Sequence, residues 1–290
     1  MLNDAHCHFF SSRFLELLAP GGADEIADRL QWDRPGTPTE LGDRWVAELD
    51  RHGVARAALI ASIPGDAVSV AEAAAHHPRR FAGLFMHNPS GGDSQATLDR
   101  SFGALKMRGV CLFPAMHGYR LDGDGVEAVF RAAAEHQAVV FVHCGVLTVG
   151  VRKKLGLPSR FDLRLGDPLA VSRVALGYPA VPVIIPHFGA GFFREALMAA
   201  DQCPSIHLDT SSSNGWMKYH PGLTLADVFR AALSVVGPTR LLFGTDSSFF
   251  PRGWQKPIFD EQERVLKTLG LPAADQNAIF GGNFERLFTG

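Results

Sequence analysis

The chain opens Met1-Leu2-Asn3-Asp4-Ala5-His6-Cys7-His8, and the fold is read outward from this stretch. Leu2–His6 reads as a short strand. Strand side chains alternate between faces, so His6 and His8 share one side and Cys7 points to the other. Asp4 has the same parity but lies deeper, where it can support the pair from a second layer. Two neutral imidazoles on one face are half of a metal site. A hydrogen-bonded histidine pair inside a sheet would give the same pattern, so the partners decide.

The chain has 290 residues, 46% of them hydrophobic. That supports one large core, and an α/β barrel commonly reaches this length as a single domain, here 1–290. A formal charge of −2 offers no basic field for nucleic acid. The four cysteines, Cys7, Cys111, Cys144 and Cys203, are too scattered for a disulfide framework and read as reduced thiols. The strand starts at once, with no room for a signal peptide, and no apolar run is long enough for a bilayer. The expectation is a cytoplasmic protein that engages no membrane.

Short apolar runs alternate with longer helical patterns. The expected strands are Leu2–His6, Ala55–Ala61, Ala82–Met86, Gly109–Phe113, Val139–His143, Val183–His187, Ser205–Asp209 and Arg240–Gly244. Their Val, Ile, Leu and Phe content suits strands buried on both faces. The expected helices are Thr39–His52, Asp66–His77, Ser94–Lys106, Gly123–His136, Asp167–Leu176, Phe192–Gln202 and Leu223–Val236. Two more fall within Pro257–Phe288, broken near Gly270-Leu271-Pro272. Eight strand–helix units predict a (β/α)8 barrel, with a doubly wound sheet as the alternative. Three connections are long: Phe9–Pro38, Gly145–Gly166 and Thr210–Gly222. All follow the C-terminal end of a strand, where a barrel builds its active site.

The first strand supplies His6 and His8, the fifth ends in His143, and the sixth ends in His187. The eighth ends just before Asp246. In a barrel these five side chains gather at the C-terminal mouth. Imidazoles and a carboxylate with a solvent position left open describe a catalytic divalent metal site. Any one of them alone could be structural. Asp246, for instance, could cap the turn that Ser247 and Ser248 begin.

The order Asp4-Ala5-His6-Cys7-His8, Phe141-Val142-His143-Cys144-Gly145, Pro186-His187-Phe188-Gly189-Ala190-Gly191 and Phe243-Gly244-Thr245-Asp246 resembles the amidohydrolase superfamily. Gly109-Val110-Cys111-Leu112-Phe113-Pro114, Leu208-Asp209-Thr210-Ser211 and Ile279-Phe280-Gly281-Gly282-Asn283-Phe284 extend the match to its amidohydrolase-related branch. That branch holds TIM-barrel metal-dependent hydrolases, lactonases and decarboxylases of the aminocarboxymuconate semialdehyde type. The resemblance implies one divalent ion, zinc first and manganese second, held by His6, His8, His143 and Asp246. It implies His187 as general acid/base beside the metal-bound water, with Asp246 able to take a proton. Binuclear members carry a Lys or Glu on the fourth strand; here that strand has neither. Cys111 is the one residue there that could bridge a second ion, and a small apolar filler is the other reading.

The loop after His143 holds Arg152, Lys153, Lys154, Arg160 and Arg164 against Asp162 alone. Basic residues over a metal suggest an anionic substrate, a carboxylate or phosphate, with Arg152 and Arg164 as the candidates. His117, Tyr119 and Arg120 follow the fourth strand and could line the mouth. Phe9, Phe10, Trp216, Phe249, Phe250 and Trp254 could wall a pocket for a cyclic or planar molecule. The leading expectation is hydrolysis of an ester, lactone or amide of a small carboxylate-bearing substrate. Non-oxidative decarboxylation of an aromatic or muconate-like acid is the alternative. A metal-dependent deoxyribonuclease would need two metals and a basic face, and a non-catalytic barrel would have lost a ligand. A homodimer is allowed by the sequence but not indicated by it.

Overall fold

The structure is a computed structural model describing residues 1–211 and 215–289. Residues 212–214, inside the expected connection Thr210–Gly222, lie outside the described residues. The strands are β1 (Leu2–Phe9), β2 (Val54–Ala61), β3 (Phe81–His87), β4 (Gly109–Leu112) and β5 (Val139–Val142). They continue with β6 (Val183–Ile185), β7 (Ile206–Asp209), β8 (Leu241–Leu242) and β9 (Ser247–Ser248). They pair in the order β8-β7-β6-β5-β4-β3-β2-β1-β9, all in parallel.

β8 and β9 are the two ends of one stave. Leu241 and Leu242 pair with Leu208 and Asp209 of β7, while Ser247 and Ser248 pair with Cys7 and His8 of β1. Between them the Ala5 amide donates to Phe243 O at 2.9 Å and the Asp246 amide donates to His6 O at 3.0 Å. The sheet thereby closes on itself as the expected (β/α)8 barrel, with its eighth stave broken in the middle.

Alternation sorts the core into two layers. Ala58, Ile60, Leu84, Cys111, Phe141 and Ile184 fill the barrel interior, and Phe284 and Phe288 join them from the C-terminal helix. The larger layer lies between sheet and helices and includes Cys7, Leu59, Val140 and Cys144. Cys7 and Cys144 therefore face away from the mouth, as period 2 predicts. One correction concerns β1. Its register with β2 slips between Asp4 and Cys7, so Ala5 and His6 both border the interior. Asp4 is thereby turned away from the histidine face and bonds to Thr245 and Trp254 instead.

The long connections are not bare. Phe9–Pro38 holds helices Ser12–Leu18 and Ala23–Leu30, and Gly145–Gly166 holds the short helix Gly150–Lys154. The expected helix Ser94–Lys106 is α over Ser94–Asp99 and π over Arg100–Ala104. The terminal stretch breaks at Gly270-Leu271-Pro272, between Lys256–Thr268 and a run from Ala273 to Phe288. Helix Pro38–Arg51 starts on a capping box: Glu40 N donates to Thr37 Oγ1, and Thr37 N donates to Glu40 Oε2. No helix among the described residues is long and apolar enough to cross a membrane.

A buried polar knot anchors the first connection. Ser11 caps helix Ser12–Leu18 and donates its Oγ–H to Asp66 Oδ2 at 2.7 Å, and Ser69 donates to Asp66 Oδ1 at 2.5 Å. Burial raises the Asp66 carboxyl from 3.8 to about 6, against the opposing effect of the two hydroxyls. Between those values the folded chain holds a proton that the unfolded chain has lost, so stability falls as pH rises through this window. The loss amounts to about 2–3 kcal/mol. Chemical denaturation from pH 4 to 7 should show this slope, and Asp66→Asn should flatten it. An unchanged slope in the variant would place the titration elsewhere.

Candidate metal centre

β1 carries His6 and His8 to the C-terminal mouth, and the turn between β8 and β9 carries Asp246 beside them. The two Nε2 atoms are 3.3 Å apart. Asp246 Oδ1 lies 3.0 Å from His8 Nε2 and 3.5 Å from His6 Nε2. Ligands about 2.0–2.1 Å from one tetrahedral ion stand about 3.3 Å from each other. The three observed separations match that edge to within a few tenths of an ångström.

The other ring nitrogens are committed outward. His6 Nδ1–H donates to Asp209 Oδ2 at 2.7 Å. His8 Nδ1–H donates to Ser62 Oγ at 2.8 Å, and the Ser62 hydroxyl donates to Ile60 O at 3.0 Å. Each Nε2 is left facing Asp246. Three electron-rich atoms at this spacing require a positive charge between them, a proton or a metal ion, and the donor set suits a borderline divalent metal. Gly244 makes the approach feasible, since a Cβ there would stand 2.9 Å from His6 Cβ.

Asp246 itself sits in the left-handed region, at φ 58. Asp4 holds its neighbours. The Asp4 carboxylate accepts the Thr245 amide at 3.2 Å, the Thr245 hydroxyl at 2.6 Å and the Trp254 indole N–H at 2.7 Å. Burial works to raise the Asp246 carboxyl, but the hydrogen bond with His8 and the fields of His6 and His187 outweigh it. The net effect holds it well below the usual carboxylate range.

His187 follows β6 in a tight turn and also has a left-handed backbone, φ 55. Its ring centroid is 5.0 Å from that of His6 and 5.2 Å from that of His143. Its Nδ1 lies 3.3 Å from Ser211 O and 2.9 Å from Ser211 Oγ. A carbonyl only accepts, so the contact with Ser211 O is made by the tautomer with its proton on Nδ1, which leaves the lone pair on Nε2. Burial lowers the basicity of His187. His143, packed face to face on Phe113 at 5.3 Å, is lowered well below the ordinary value by burial and by His187 and His6. Both rings are neutral at pH 7. Among the described residues the compact donor group contains His6, His8 and Asp246, without His143, which lines the same cavity. Cys111 lies in the apolar interior, and burial pushes its thiol well up, so it stays protonated.

The cavity over these residues has a volume of about 570 Å³. Its walls differ from the sequence expectation. Arg152 Nη2 donates to Pro158 O at 2.7 Å, and Arg164 is 89% exposed and paired with Asp162. Neither lines the cavity, and neither do His117 and Tyr119, which lie buried or half-buried with their rings 6.3 Å apart. In helix Gly150–Lys154 the positions three apart, Val151 and Lys154, share the cavity-facing side and leave Arg152 off it. The cations on the wall are Lys154, Lys218 and Arg252. Of the expected aromatic residues, Phe10, Trp216 and Phe250 line the cavity, joined by Trp32. Phe10, Trp32 and Phe250 stack with interplanar angles of 5° and 14°. Phe249 packs on Trp45, and Trp254 serves Asp4.

Asp209 is a site residue that the sequence reading left without a role. It ends the seventh expected strand, so the same strand-end pattern that picks out His143 and His187 also points to it. Ser62 and Ser211 carry no such signal. Asp209→Asn should weaken metal binding about 10- to 100-fold by removing the carboxylate behind His6. Competition with a chelating dye measures this, and an unchanged affinity would remove Asp209 from the centre.

An amidohydrolase family model matches residues 3–289. A search of curated proteins found no match. Among solved structures, 5-carboxyvanillate decarboxylase from Novosphingobium aromaticivorans, complexed with manganese and 4-hydroxy-3-methoxy-5-nitrobenzoic acid, is similar at TM-score 0.67 and 16% identity, covering 100% of this chain and 96% of that one. A candidate 2-pyrone-4,6-dicarboxylic acid hydrolase from Pseudomonas putida is similar at TM-score 0.65 and 21% identity, covering 99% and 97%. An amidohydrolase from Burkholderia multivorans with bound zinc is similar at TM-score 0.62 and 18% identity, covering 100% and 99%. These likenesses carry the TIM-barrel fold, while the family match spans almost every residue: the chain belongs to the amidohydrolase family.

Proposed function

We propose that the chain is a metal-dependent hydrolase that cleaves an ester, lactone or amide bond of a small anionic substrate. One divalent ion, zinc first and manganese second, would be held by His6, His8 and Asp246, with His143 as the fourth donor. Such an ion polarises a carbonyl oxygen and makes water nucleophilic near neutral pH. The observation that carries hydrolysis is the contact of His187 Nδ1 with Ser211 O, which the Nδ1–H tautomer makes. That tautomer leaves the Nε2 lone pair free, so His187 can take a proton from the attacking water and return it to the leaving group.

Lys154, Lys218 and Arg252 supply the anion preference. Among the described residues, Lys154 and Lys218 have aromatic faces as neighbours rather than carboxylates, and Asp246 is the one acid on the cavity wall. The manganese-bound relative holds a substituted benzoic acid, which agrees with a carboxylate-bearing ligand. Lys154→Ala should raise KM for an acid substrate roughly 10-fold or more, the worth of a charge-assisted bond. It should leave a neutral methyl ester of that substrate unaffected. An equal effect on both would remove Lys154 from anion recognition.

The test is a panel of lactones, esters and amides offered to chelator-treated protein with and without zinc. Acid release that zinc restores is the expected result. Decarboxylation is the second reading, favoured by the apolar walls, since a carboxylate stripped of water loses CO2 more readily. CO2 release from aromatic or muconate-like acids, with no hydrolysis anywhere in the panel, would overturn the first reading in favour of the second.

A further inference from the structure

Away from the barrel mouth, a second group of donor side chains meets on the surface. Asp43 lies in helix Pro38–Arg51, and His76 and His77 stand at the end of helix Ala67–His76. The two helices come close because Gly42 has no side chain: a Cβ there would be 3.3 Å from Ala73 Cβ. Consecutive residues in a continuous helix diverge by about 100°. His77 leaves the helix at φ −123, ψ 63, which returns its ring to the side of His76, with ring centroids 4.5 Å apart. His77 Nε2 is 2.6 Å and His76 Nε2 3.3 Å from one and the same atom, Asp43 Oδ1.

We propose that Asp43, His76 and His77 form a second metal site, on the surface, for a borderline divalent ion such as Zn2+, Cu2+ or Ni2+. Two imidazoles and a carboxylate select these ions over Ca2+ and Mg2+, which prefer oxygen ligands. All three donor atoms lie within 4.8 Å of one another. The His76 separation already matches a tetrahedral edge of about 3.3 Å. The shorter His77 contact is a hydrogen bond whose place the ion takes, and it opens by well under an ångström. Asp43 and His76 are 57% and 48% exposed, so the remaining coordination positions belong to water. The ion clamps the two helices together. Arg44, next to Asp43, lies 5.3 Å over the rings of both Phe249 and Phe250, and Phe250 walls the mouth cavity. The clamp therefore steadies that wall. The site stands on geometry separate from the barrel mouth and holds whichever reaction the mouth performs.

The test is calorimetric titration of the metal-stripped full chain with Zn2+. Wild type should show two classes of site. His76→Ala with His77→Ala should lose the weaker class and keep the tighter one. In Asp246→Asn, added Zn2+ should raise the melting temperature, and combining it with the histidine pair of substitutions should abolish the rise. The substituted side chains are at least partly exposed, and far-UV circular dichroism confirms folding. Zn2+ binding that both histidine substitutions leave unchanged in number and affinity would overturn the proposal, whereas a single class that those substitutions abolish would keep it and remove the ion from the mouth instead.

Discussion

Asp246→Asn is expected to strip the chain of its mouth metal and of its activity while leaving the barrel folded. Asparagine is nearly isosteric with aspartate and tolerates the left-handed backbone that position 246 adopts at φ 58. The backbone N–H of residue 246 still donates to His6 O, as it does at 3.0 Å in the wild type. What disappears is the one anionic atom among the three that converge, Oδ1 at 3.0 and 3.5 Å from the histidine nitrogens. Residues that only support a ligand cost about 10- to 100-fold in affinity or activity when removed. A direct, charged donor costs more, so the loss should exceed that range. Metal content by plasma spectrometry after dialysis, measured beside circular dichroism, checks both halves. A variant that keeps wild-type zinc content would remove Asp246 from the centre.

The barrel was legible because its cause is local and repeated. Eight runs of buried residues, each followed by an amphipathic stretch, recur along the chain, and the strand ends that carry His6, His8, His143, His187 and Asp246 fall in register with them. The details that escaped depend on contacts distant in sequence. The slip in β1 goes with bonds from Asp4 to Thr245 and Trp254, some 240 residues away or more. Period 2 alone kept Asp4 on the histidine face.

The cationic wall escaped for a related reason. Five basic residues in one loop are equivalent on paper. A one-turn helix over Gly150–Lys154 turns Lys154 inward, and a local pairing with Asp162 draws Arg164 outward. Arg252 reaches the same cavity from the turn after β9. Asp209 stands at a strand end, but a carboxylate behind a histidine is visible as such only once the histidine's outward nitrogen is placed.

His187→Asn is expected to separate catalysis from metal binding. Position 187 has φ 55, and asparagine is among the few residues that accept this backbone, so the tight turn after β6 survives. The side chain lost is the one whose Nε2 is free and whose Nδ1 is held by Ser211. It contributes no atom to the compact group of His6, His8 and Asp246. Metal stoichiometry should therefore stay at the wild-type level while kcat falls about 10²- to 10⁴-fold, the usual worth of a positioned general base. The pH profile gives a second readout. Burial lowers His187 below its ordinary value of 6.5, and an ion among the neighbouring ligands lowers it further. The base is active when unprotonated, so wild-type activity should hold as pH drops past 6.5 and fall only as pH passes through the depressed value. In the variant that acidic limb should vanish along with most of the rate. A drop of less than 10-fold, or a rate loss matched by metal loss, would reassign His187 from proton transfer to support of the site.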